Sequence, residues 1–128
     1  MKFSTNKEKG NTALGIAIGY FASQGYTVSI PLNDTQDYDL VIEKNKVLQT
    51  VQVKSSGCII KSNYFQVSLK SCGGTKGKTY KRFKDTSVDL LFILLADSSM
   101  YLIPSNKISN SSTITLTPKY QKYLVNLF

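Results

Sequence analysis

The side chains with the most chemistry to offer lie in two short stretches, Tyr38-Asp39 and, after twelve intervening residues, Gln52-Val53-Lys54. Between them they supply a carboxylate, an amide oxygen, a main-chain carbonyl and an ammonium. Oxygen donors of this kind hold hard divalent cations such as Mg2+, which polarise a phosphoryl oxygen and acidify bound water. On this reading Asp39 is the anionic metal ligand, Gln52 lends its side-chain oxygen and Val53 its carbonyl. Lys54 orients the attacking water and counters the charge that grows on phosphorus. The chemistry would be hydrolysis of a phosphodiester. Spacing alone does not establish it, because Gln and Lys on an exposed strand face are ordinary.

Composition removes several alternatives. The chain of 128 residues contains no His, which takes away the commonest general base and excludes a Ser-His or Cys-His hydrolase. A structural zinc would need carboxylates to complete Cys58 and Cys72, a ligand set such sites seldom use, so two unrelated thiols are expected. The formal charge is +8, from 16 Lys and Arg against 8 Asp and Glu, and points to an anionic partner rather than a small-molecule substrate. Between Lys70 and Lys84 stand Lys70, Lys76, Lys78, Lys81, Arg82 and Lys84 without an acid, and Gly73, Gly74 and Gly77 give the first half a flexible loop. Such a segment can track a phosphate backbone, although a solvated basic loop has the same composition. Beside Tyr80 and Phe83, Lys81, Arg82 and Lys84 could also read base edges, with Arg82 suited to guanine, but phosphate contact is the expectation.

Elements must bring these groups together. A helix is predicted from Asn6 to Gln24, with Ala13, Ile16, Ala17, Tyr20 and Phe21 on one face and Gly25 as its stop. Gly10, Gly15 and Gly19 weaken that helix or allow another backbone to come close. Strands are predicted over Tyr26–Ile30, Tyr38–Glu43, Val47–Ser55, Tyr64–Leu69, Leu90–Ala96 and Met100–Ile103. The period of two puts Gln52 and Lys54 on one face of the third strand, and a hairpin turning near Asn45 sets Asp39 beside them. Thr117 and Pro118 are expected to open a short terminal helix carrying Tyr120, Tyr123, Leu124 and Leu127 on one face. Phe3, Tyr20, Phe21, Tyr120, Tyr123 and Phe128 are expected to close the core rather than to form an oligomer interface. The length fits a single domain over residues 1–128. The longest apolar run is too short to span a bilayer and residues 1–10 lack a secretory pattern, so a cytoplasmic location is expected.

Several features occur in a recognisable order: Lys9-Gly10 at the helix start, Gly25-Tyr26, Val28 to Pro31, Tyr38-Asp39-Leu40, Val51-Gln52-Val53-Lys54 and Tyr101-Leu102-Ile103-Pro104. In that order they resemble the group I intron-associated PD-(D/E)XK homing endonucleases. The resemblance implies a restriction-endonuclease-like α/β fold, a central mixed β-sheet flanked by an N-terminal helix and a short C-terminal helix. It also implies cleavage of double-stranded DNA with Mg2+, for which Mn2+ can substitute, by a homodimer or homotetramer. Asp39, Gln52 and Lys54 match the motif positions, with Gln52 where most of the wider superfamily has Glu or Asp. That exchange removes a negative charge and should weaken metal binding. Many superfamily members also carry an acid on the first helix, where this chain has Leu14 or Gly15. Glu8 is the nearby candidate, and it serves equally well as a first-turn acid that compensates the helix dipole. Three readings follow: a sequence-specific homing endonuclease, a structure-selective resolvase of the Holliday-junction type, and a DNA-binding module that has lost cleavage.

Overall fold

A computed structural model describes residues 5–33, 35–72, 80, 81, 83, 86–109 and 112–127, with backbone alone for 71, 72, 80 and 81. One long helix, α1 (Asn6–Ser23), is followed by β1 (Thr27–Ser29), β2 (Leu40–Lys44), β3 (Val47–Ser56), β4 (Gln66–Ser68), β5 (Ser71–Cys72) and β6 (Tyr80–Lys81). Then come β7 (Leu90–Leu95), β8 (Met100–Pro104), β9 (Thr113–Thr115) and β10 (Leu124–Val125), with 3-10 turns at Ser105–Lys107 and Pro118–Tyr123. The main sheet has the order β1-β2-β3-β7-β8-β10, and β4-β9 and β5-β6 form two small ribbons. It is a mixed sheet, because β3 and β7 run parallel while the other neighbours are antiparallel.

Local chemistry accounts for the parts that matter to the site. Thr5 caps α1, its hydroxyl accepting the Glu8 N–H at 3.1 Å, and Gly25 ends the helix region at φ 86°, a conformation that suits glycine. The β2–β3 hairpin turns on Asn45 and Lys46, both at positive φ (54° and 65°). This is the two-residue geometry that matches the twist of paired strands. The turn fixes the register at Leu40↔Val51 through Lys44↔Val47. Asp39, just outside the strand, therefore stands near Gln52.

Two apolar layers sandwich the sheet. On one side α1 buries Ala13, Ala17, Tyr20 and Phe21 against Leu40, Ile42, Val51, Phe92 and Leu94. On the other, Leu91, Ile93 and Leu95 pack with Val67, Leu69, Phe83, Ile114 and Tyr120. Strand β7 is thus covered on both faces, the physical reason its sequence is an unbroken apolar run. Tyr20, Phe21 and Tyr120 are core residues as expected, and Tyr123 packs on the second layer, while Phe3 and Phe128 lie outside the described residues.

Other expectations need correction. Gly10 and Gly15 have open space where a Cβ would stand, so neither marks a close approach. Gly19 alone has a neighbour, Leu127, at 4.0 Å. The expected short terminal helix is present as a six-residue 3-10 helix with Thr117 at its N-cap position and Pro118 in its first turn, but Thr117 makes no side-chain cap bond and the helix runs directly into β10 against β8. Pairing of β10 with the β8 edge satisfies the backbone groups that follow it. The expected common face splits accordingly: Tyr120 is buried, Leu124 is exposed and Leu127 packs on the α1 side. Phe83, next to the basic residues in sequence, is 3% exposed and packs in the second layer. Cys58 is an exposed free thiol. Among the described residues no helix is long and apolar enough to cross a membrane.

Candidate active site

Strand β2 ends one residue short of the expected site, and the Asp39 side chain takes over from its backbone. The Asp39 N–H donates to the Val51 carbonyl at 2.8 Å, and Asp39 Oδ2 accepts the Val53 N–H at 2.7 Å. The carboxylate is therefore held at the open end of the ladder. A strand residue presents its N–H and C=O toward the same neighbour, so the Val53 carbonyl also faces the ground that β2 has vacated. Loss of surrounding water raises the Asp39 pKa above the ordinary carboxylate value, while the Val53 N–H and the nearby Lys54 ammonium pull it down.

Gln52 and Lys54 share the opposite face of β3 from Val51, as the alternation requires. Lys54 Nζ donates to the Lys70 carbonyl at 3.1 Å, which fixes the ammonium at the mouth of the site. Gln52 is only 5% exposed, paired in register with Leu91, and its Oε1 is buried without a hydrogen-bond partner. Leaving such an oxygen unsatisfied costs about 1–3 kcal/mol. The Asp39 carboxylate, the Gln52 amide oxygen and the Val53 carbonyl are all oxygen donors, the type that could hold a hard divalent cation such as Mg2+. Together they carry one formal negative charge. Among the described residues no group of three or more His, Cys, Asp or Glu could hold a metal.

The sheet side of the site opens into a cleft of about 450 Å³ between β3, β4 and the start of α1. Its lining combines Val53, Lys54 and Ser55 with Ser68 and Lys70, and Asn6 and Lys9 close it from the helix. Of these, Val53, Lys54 and Lys70 were expected at the site, whereas Asn6, Lys9, Ser55 and Ser68 were not. Helical spacing contained the signal for two of them: Asn6, Lys9 and Ala13 fall on the face that packs on the sheet. The same spacing turns Glu8 to the outer face, where it is exposed. Leu14 is partly buried against the apolar layer and Gly15 has no side chain, so the superfamily's helix acid has no counterpart at those two positions.

Lys70 lines this cleft, and the basic segment beyond is tied at its base by β5–β6 pairing, Ser71↔Lys81 and Cys72↔Tyr80. Lys76, Lys78, Arg82 and Lys84, and the side chain of Lys81, lie outside the described residues.

Comparison with known proteins agrees with this architecture. Among curated proteins no sequence matches the chain. Among solved structures, a bacterial homing endonuclease, I-Ssp6803I, superposes with a TM-score of 0.75 at 27% identity, covering 94% of this chain and 89% of that one. The PD-(D/E)XK endonuclease family matches residues 4–123, almost the full length. A mixed sheet with the hairpin-borne Asp39, Gln52 and Lys54, together with that match, makes this chain a member of the PD-(D/E)XK endonuclease family.

Proposed function

We propose that the chain is a Mg2+-dependent endonuclease that hydrolyses phosphodiester bonds of double-stranded DNA at defined sequences. One nuclease domain spans residues 1–128 and works as a homodimer or homotetramer, since each chain carries one site and two strands must be cut. The observation that carries the reading is the buried, unpartnered Gln52 Oε1 on the β3 residue that the hairpin register sets opposite Asp39. A buried polar oxygen is normally hydrogen-bonded, so an orphan next to a carboxylate is best explained by a cation that both would hold.

Asp39, Gln52 and the Val53 carbonyl would hold Mg2+ or Mn2+, which supplies Lewis acidity toward the phosphoryl oxygen. The protein's own groups do the rest. Lys54, anchored on the Lys70 carbonyl, orients the attacking water and offsets charge on the pentacoordinate phosphorus. Lys9, Lys70 and the basic segment with Lys76, Lys78, Lys81, Arg82 and Lys84 hold the DNA backbone across the cleft. Glu8, on the outer face of α1, acts as a first-turn acid.

Purified protein incubated with Mg2+ and a plasmid library should produce defined double-strand breaks. Lys54→Ala and Asp39→Asn should abolish them with folding intact. Persistence of cutting in both variants, or no cutting by the unaltered protein with either Mg2+ or Mn2+, would reject the reading. One observation favours a second reading, a DNA-binding scaffold without cleavage: the donor set has a single carboxylate. A dead scaffold would bind DNA but no divalent ion at Asp39. A resolvase would instead cut branched DNA and ignore sequence.

A further inference from the structure

Away from the cleft, a second groove of about 270 Å³ is lined by Lys107, Lys119, Tyr120, Lys122 and Tyr123, three cations and two phenols with no acid among them. The three lysines are exposed. Lys119 and Lys122 lie over the rings of Tyr120 and Tyr123, at 5.1 and 5.4 Å from the centroids. A cluster of like charges around a small concavity repels itself unless an anion enters it. Phenol hydroxyls add donors that suit phosphate oxygens.

The groove's place in the fold indicates which anion. Tyr120 is buried in the layer that contains Leu91 and Ile93, the layer on the Gln52 and Lys54 face of the sheet. The turn carrying Lys107 is bound to the strands of the site. The Ser105 N–H donates to the Asp89 carbonyl at 2.9 Å, and Asp89 Oδ2 accepts the Thr50 N–H at 2.9 Å, two residues before Gln52. The Asp89 N–H returns a bond to the Thr50 hydroxyl at 3.1 Å. Two strand spacings sideways and about four residues lengthwise set the groove roughly 15–20 Å from Gln52. That distance covers about five base-pair steps at about 3.4 Å each.

We propose that the groove formed by Lys107, Lys119, Lys122, Tyr120 and Tyr123 is a second backbone-phosphate site, gripping the same duplex about half a turn from the phosphate that is cut. It rests on the nuclease reading above and extends it. The cleft and its basic segment would hold the duplex on one side of the scissile bond and the groove on the other. Two separated anchors fix its angle on the sheet.

Lysine acetylation read by mass spectrometry, with and without a random-sequence duplex in Ca2+ buffer, tests both sites at once. Lys107, Lys119 and Lys122 should be protected by the duplex along with Lys54 and Lys70, while Lys46 at the hairpin tip should label equally in both states. A triple variant, Lys107→Gln with Lys119→Gln and Lys122→Gln, should fold normally and bind the duplex with a log-log salt slope shallower by about 2 to 3. Protection confined to Lys54 and Lys70, with an unchanged slope in the triple variant, overturns the groove and leaves the nuclease reading standing. Absence of any protection or binding overturns both.

Discussion

Strand β3 carries two buried polar side chains on the same face, four residues apart, and they have opposite fates. Ser56, 7% exposed, donates to the Gln66 carbonyl at 2.6 Å and accepts the Cys58 N–H at 3.1 Å, so it stitches β3 to the next segment. Gln52, equally buried, leaves its oxygen without a partner. Burial is the same, yet only one group is stabilising in the free protein. On the proposed reading Ser56 is a structural polar group and Gln52 the one whose oxygen is left for a ligand.

Substitutions at and around these positions sharpen the contrast. The largest effect belongs to the groups that would touch the reacting phosphate: Lys54→Ala should abolish detectable cleavage, a loss of about 1000-fold or more in rate at saturating DNA, with melting temperature little changed. Gln52→Leu should weaken divalent-ion binding roughly tenfold or more. In chemical denaturation without metal it should leave stability unchanged or raise it by up to about 1 kcal/mol, because an unsatisfied oxygen has been replaced by hydrocarbon. Ser56→Ala should do the reverse, costing about 1–3 kcal/mol in the same denaturation assay while the folded variant cuts at the normal rate. If Ser56→Ala and Gln52→Leu behave alike in both assays, the contrast between them fails.

The smallest effect is the response to pH. Burial holds the Asp39 pKa above its usual value, with the Val53 N–H and Lys54 in opposition. Divalent-ion affinity should therefore begin to fall at a pH above about 3.9, where an ordinary aspartate would still be charged. The stability linkage has the sign of a raised pKa. The folded chain binds its Asp39 proton more tightly than the unfolded chain, so this contribution is present at pH values below about 3.9 and is lost as pH rises through the folded value. Asp39→Asn should flatten both profiles, and titration calorimetry and denaturation across acidic pH would read the change.

The parts of this molecule legible in its sequence are those where one local rule dominates. The Lys44–Val47 turn fixes the hairpin register, period-two alternation places Gln52 with Lys54, and helical spacing gives the buried face of α1. The two-residue strands β5, β6 and β10 left no such signal, since pairing over two residues is decided by tertiary neighbours rather than by pattern. Phe83 read as part of a basic recognition segment because the neighbouring charges are visible in sequence and the apolar layer that takes its ring is not. At the site itself, spacing gave the hairpin register that sets Asp39 opposite Gln52. The burial of Gln52 depended on the layer that covers the face opposite α1, and the cleft lining from Asn6 and Lys9 on where α1 crosses β3.

The central claim is that Asp39 and the orphaned Gln52 oxygen hold a divalent cation. Isothermal titration of the whole protein with Mn2+ tests it most directly. The account expects binding that disappears in Asp39→Asn, weakens in Gln52→Leu and tightens in Gln52→Glu. No binding by the unaltered chain, or binding that survives intact in Asp39→Asn, would contradict it.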